Sequence, residues 1–215
     1  MTGAFKICVI IFLMISLSAS AQTIIPGGYV SGQWDPGSSP YFVQGNILVH
    51  ADSTLEINAG TIVLFADTRR LEVQGQLLVT GTPSQPVILD RDSVADGWQG
   101  IYFNTTDTSI TDSSILIHGH RSHASPAPGI TISSSGRLRI SDFTIDHCMA
   151  FRGAGINCIN SDPYFSGISI HSNTGLDGTG MALENSTPVM KNCTFNDNEA
   201  SGAGAGIVIF AGSNT

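Results

Sequence analysis

The chain has 215 residues and a net charge of −8, from 9 Lys plus Arg against 17 Asp plus Glu, with only 12% of its residues charged. That balance excludes nucleic acid as a partner, because phosphate binding needs a basic footprint. The polarity comes from Ser, Thr, Asn and Gly, which does not match a charged helical surface and suits an exported β-rich protein.

Residues 1–21 carry one positive charge, Lys6, then an apolar run from Ile7 to Leu17 and the tripeptide Ala19-Ser20-Ala21. The pattern predicts a signal peptide that leaves Gln22 as the mature N-terminus. The apolar run is shorter than the roughly 20 residues a membrane span needs, and nothing later is as apolar. The expected location is therefore secreted or cell-surface, without a transmembrane segment after cleavage. The 194 residues that remain suffice for one domain with a sizeable core.

Residues 22–40, with Trp34, Pro36 and Pro40, are expected to cap the open N-terminal end of the fold. Bare strand edges there would recruit other chains. From 41 to 103 the pairs Leu55/Ile57, Leu71/Val73, Leu77/Val79 and Val87/Leu89 alternate with polar residues. Period two marks half-buried strands. Asn58-Ala59-Gly60, Gly81-Thr82-Pro83 and Asp96-Gly97 separate them as turns. No apolar stripe of period 3.6 follows residue 22. His118, His120 and His123 precede Ser125-Pro126-Ala127-Pro128, which reads as a loop.

A repeat then takes over. Shifted by 25 residues, Gly155 falls on Gly180, Pro163 on Pro188, Ile170 on Phe195 and Asn173 on Asn198, with no gap. Gly100-Ile101, Gly129-Ile130 and Gly206-Ile207 extend the series at spacings of 26 to 29. Short strands, frequent turns and this period predict an all-β, right-handed parallel β-helix over residues 41–215. Each coil has three strands and about 25 residues, and successive coils stack roughly 4.8 Å apart. Ile145, Ile170 and Phe195 should form one interior stack, and Ile130, Ile156, Met181 and Ile207 another. With no recognisable cap before Thr215, the solenoid is expected to be truncated at its C-terminal end. Cys148, Cys158 and Cys193 are an odd set, which allows at most one disulfide and reads more simply as small buried side chains.

Two motifs carry a resemblance. Phe195-Asn196-Asp197-Asn198 is F-x-x-N, echoed by Ile170 to Asn173. Gly204-Ala205-Gly206-Ile207 is G-x-G-I, echoed at Gly153 and Gly178. Together they resemble the repeats of polymorphic outer-membrane proteins, with the second glycine displaced by one position. The order Tyr41-Phe42-Val43, Thr54 to Thr61, Leu71 to Leu77, Gly81-Thr82-Pro83 and Gly97 to Ile101 resembles the opening coils of secreted bacterial β-helix proteins of the pectate-lyase-like superfamily. The resemblance implies the fold. It also implies that acidic-glycan cleavage in a groove along one face has to be weighed.

A lyase needs a base and commonly calcium held by carboxylates, and a hydrolase needs two carboxyl groups. Stacking places Asp146, His171 and Asn196 in one outward column, with His147 and Asp197 beside it, so Asp146, His171 and Asp197 are the catalytic candidates. Solvated turn residues are the simpler reading, with Arg152 and Asp177 as a surface ion pair of little worth. His118, His120 and His123 are the metal candidates. Trp98, Tyr102 and Tyr164 are the candidates for stacking on sugars, against a reading in which Trp98 and Tyr102 pack the early coils. Asn173 and Asn198 read as a structural ladder. The favoured function is a binding or display module, adhesin-like or glycan-binding, that needs no cofactor and meets an extracellular glycan or cell-surface partner. The alternative is a polysaccharide lyase or glycoside hydrolase, the former with calcium.

Overall fold

The computed structural model describes residues 22–104, 110–112, 114–117, 127–133, 138–210 and 212. Among these residues the chain is an all-β solenoid that winds through two eight-stranded sheets, a seven-stranded sheet and a small three-stranded sheet. Neighbouring strands in each sheet are parallel and come from successive turns. One column runs without a break through Gly28, Ile47, Leu71, Ile101, Ile130, Ile156, Met181 and Ile207. Ile145, Ile170 and Phe195 stack as expected in another. No helix among the described residues is long and apolar enough to cross a membrane.

Period-two alternation turns every second side chain inward, and the interior is one hydrophobic cluster from Trp34 to Leu183. Trp98 is fully buried and stacks on Phe65, with ring centroids 4.0 Å apart. Trp34 lies flat against Tyr41 at 4.7 Å.

Two expectations change. Residues 22–40 do not form a separate cap. Thr23–Ile25, Gly28–Tyr29 and Gly32–Trp34 pair in register with the next turn and are themselves the first coil. The later coils also carry a fourth strand, since Met149–Arg152, Thr174–Asp177 and Glu199–Ala200 form the small sheet.

The corners explain the turn residues. In the late coils the backbone turns left-handed at four places per turn. The corner columns are Asp142, Gly167 and Asn192; His147, Ser172 and Asp197; Gly153, Gly178 and Gly204; and Asn160 and Asn185. Gly, Asn and Asp tolerate positive φ best. The G-x-G-I motif combines two requirements. Its first glycine is such a corner. A Cβ on its second, at Gly155 or Gly180, would lie within 3.0 Å of the carbonyl oxygen of the next glycine in the column.

The asparagines form a ladder through the interior. Asn173 is fully buried. Its Oδ1 accepts the Cys148 N–H (2.9 Å), and its Nδ2 donates to Ile145 O (3.3 Å) and to Asn198 Oδ1 (2.9 Å). Asn198 repeats the bond one turn on, donating to Ile170 O at 2.9 Å. F-x-x-N is therefore a core residue followed, three positions on, by a rung of this ladder. Cys148, Cys158 and Cys193 form no disulfide with one another; Cys148 and Cys158 are buried and Cys193 is half-buried. Burial pushes the Cys158 thiol up to about 12, Asp162 adds to the rise, and a hydrogen bond with Ser186 partly opposes it.

Asn173→Ala would strand the Cys148 N–H and the Ile145 carbonyl. The expected loss is about 2–4 kcal/mol of unfolding free energy in urea. An unchanged denaturation midpoint would rule out the ladder as a source of stability. Because the Cys158 pKa is raised on folding, its contribution is fully present below pH 9 and is lost as pH rises toward 12. Unfolding free energy should therefore fall above pH 9 by up to about 1.4 kcal/mol per pH unit, and Cys158→Ala should remove that part of the slope.

Candidate functional site

The late coils bring the polar candidates to the corner between an eight-stranded sheet and the small sheet. Thr144–Asp146, Ser169–His171 and Thr194–Asn196 end there, and their registers place Asp146, His171 and Asn196 one above another. The outward column anticipated from the repeat is real. His147 Nδ1 lies 3.1 Å from Asp146 Oδ2, while the Asp146 Oδ1 atom is buried without a hydrogen-bond partner among the described residues. His171 Nδ1 is 3.3 Å from Ser172 Oγ, and Asn196 Nδ2 donates weakly to Asp197 Oδ2 at 3.4 Å.

Asp197 is a left-handed corner residue in the column of His147 and Ser172, not a member of the Asp146 column. The corner thus assembles two imidazoles, two carboxyl groups and a hydroxyl over three turns. An aspartate holding an imidazole can orient it for proton transfer. Here, however, the second imidazole turns its Nδ1 toward a hydroxyl, which is not the base–nucleophile order of a serine triad.

Beside this corner, on the small sheet, lies a groove of about 330 Å³ lined by Met149, Ala150, Phe151, Thr174, Gly175, Leu176 and Ser201. Gly175 lets its turn approach the one before it closely, since a Cβ there would run into the Ala150 carbonyl oxygen. Phe151 is 67% exposed and Leu176 44% exposed. Both precede a left-handed glycine corner by two residues, at Gly153 and Gly178, so the repeat places them at the same phase on adjacent turns. That shared phase is the signal the sequence offers, and it lies in residues other than Trp98, Tyr102 and Tyr164.

The stacking candidates separate. Trp98 is core and is withdrawn as a binding residue, because its indole is covered by Phe65. Tyr102 lies on the outside of Ile101–Phe103, with the Arg70 guanidinium 5.9 Å from its ring. Tyr164 lies on the outside of a different sheet, with Arg139 at 4.5 Å and Lys191 at 5.7 Å from its ring. The two tyrosines do not converge. Arg152 and Asp177 are register partners as expected, but they form no ion pair. The Arg152 guanidinium sits 4.4 Å over the Phe210 ring, and Asp177 Oδ1 accepts the Ala203 N–H at 2.8 Å. His118, His120 and His123 lie outside the described residues. Among the described residues no three His, Cys, Asp or Glu side chains gather to hold a metal ion.

Compared with protein-family models, residues 77–215 match one described as a right handed beta helix region. No curated protein and no solved structure matches the chain.

Trp98→Ala should cost about 3–5 kcal/mol in urea denaturation, as large-to-small changes in a packed core do. Tyr164→Ala should cost far less, since its ring is only partly covered. Equal losses would overturn the assignment of Trp98 to the core and Tyr164 to the surface.

Proposed function

The chain belongs to the right-handed β-helix family, and from that premise we propose that it is an exported binding or display module that takes an extracellular glycan in the groove of its small sheet. The supporting observation is Phe151, two-thirds exposed beside Leu176 in the apolar-walled groove of the small sheet's face described above. A sugar ring offers an apolar C–H face with hydroxyls around its edge. The groove offers the complement: an apolar wall at Phe151, Leu176 and Met149, and hydroxyls at Thr174 and Ser201. The His147, Ser172 and Asp197 corner supplies further donors and acceptors two residues away along the chain. Its volume falls within the size range of small-ligand sites. Residues 1–21 direct export in this reading, and no cofactor is involved.

A second reading draws on the Asp146–His147 pair beneath His171, which would serve as the acid–base element of a polysaccharide lyase or glycoside hydrolase. Calcium would belong to that reading alone.

Binding to a panel of acidic and neutral polysaccharides separates the two. Phe151→Ala should weaken retention of the bound glycan about tenfold while leaving the melting temperature unchanged, because the ring is largely in solvent. Undiminished binding by that variant would sink the groove as the site. Cleavage by the parent chain that disappears in Asp146→Ala or His171→Ala would favour the enzyme instead.

A further inference from the structure

We propose that the glycan held in this groove is an oligosaccharide carrying free amino groups, an inference that rests on the groove being the glycan site. The register of the small sheet lays out its groove face in two columns. Met149, Thr174 and Glu199 form one. Phe151, Leu176 and Ser201 form the other, because alternate side chains of a strand share a face. Glu199 is thus the one charged residue that these three strands place on the groove face. Register fixes it on the face of the sheet, so its placement does not depend on what lies beyond the last coil. Two more carboxyl groups stand beside it. Asp197 is the left-handed corner two residues before Glu199, and Asp146 ends the strand that runs into the same corner column at His147.

The lysine and arginine side chains of the described residues are directed elsewhere. Arg152 points away from Phe151, with its guanidinium 4.4 Å over the Phe210 ring. Arg139 and Lys191 both sit against Tyr164, on another sheet. Arg69, Arg70 and Arg91 belong to the early coils. A carboxylate or sulfate ester brought into the groove would meet like charge with no lysine or arginine to offset it, whereas an ammonium group would meet opposite charge. The Ser201 hydroxyl already donates to the Gly175 carbonyl at 3.2 Å, so toward a ligand it is left to accept.

The aromatic wall points the same way independently. Tyr102, Tyr164 and Phe210 each hold a cation of this chain against the ring. Phe151 is 67% exposed and, among the described residues, holds none. Its ring face attracts an ammonium group through the ring quadrupole. Phe151 and Glu199 lie two turns apart, roughly 10 Å at the usual strand spacing. One ammonium does not reach both. An oligosaccharide with amines on several rings does, setting one against Phe151 and another against Glu199.

Titration calorimetry of the chain from Gln22 onward tests this with four oligosaccharides of matched length: a glucosamine oligomer, its N-acetylated form, a neutral glucose oligomer and a uronate oligomer. The glucosamine oligomer should bind at least about fivefold more tightly than its N-acetylated form, and lose affinity more steeply as salt is added. Glu199→Gln should remove most of that preference at an unchanged melting temperature, while Phe151→Ala weakens every oligosaccharide that binds. Equal or tighter binding of the acetylated or uronate oligomer, still dependent on Phe151, would overturn the amine preference and leave the groove as the glycan site. Failure of all four to bind in a Phe151-dependent way would overturn groove and preference together. A preference that survives Glu199→Gln unchanged would place the amine elsewhere and sink the proposal. So would a lysine oligopeptide that displaces the glucosamine oligomer and binds more tightly, by assigning the same charges to a basic peptide.

Discussion

Hydrogen bonding between parallel strands of successive turns is the constraint on which the rest of this molecule depends. It fixes the register, so each residue sits directly over the residue one turn earlier and must be compatible with it. A wrong side chain is therefore wrong against two neighbours at once. This is why isoleucines and their equivalents run in columns and why the left-handed corners recur in the same phase. The Asn173–Asn198 ladder follows from the same rule: a buried amide is tolerated because the next rung supplies its partner.

Much of this was legible in the sequence because the late repeat is gapless. A fixed shift of 25 places Ile170 under Phe195 and Asn173 under Asn198, and those are the observed register partners. The first coil was misread because it does not share that length. Only 18 positions separate Thr23 from its partner Tyr41, and glycines and prolines interrupt the strands. Trp98 could not be assigned from its neighbours, since Asp96-Gly97 reads as a turn while the indole folds back onto Phe65 from an earlier turn. Register alone also misjudged Arg152 and Asp177. They are adjacent, but Phe210 and the Ala203 N–H are better placed for each.

The functional surface was less legible for a related reason. Repetition marks what the fold needs, and a binding groove is a local departure from it. The repeat gives Phe151 and Leu176 the same phase, but that phase does not say they face outward, which follows only from the small fourth sheet. The Asp146–His171 column shows the converse. The repeat brought those residues together correctly, yet stacking identical phases of a solenoid yields adjacent polar side chains as a matter of course. Adjacency in such a fold therefore carries less functional weight than it would where distant segments must converge.

The fourth strand and its glycine corners have a mechanical side. Among the described residues, every strand pairing of the late coils joins residues one turn apart. Cooperativity in such an object is passed from neighbour to neighbour. Tension applied across the long axis would be borne by every rung in a sheet together, while tension applied at a terminus would load one rung at a time. The molecule is thus built to resist shear along its surface and to yield by peeling from its ends.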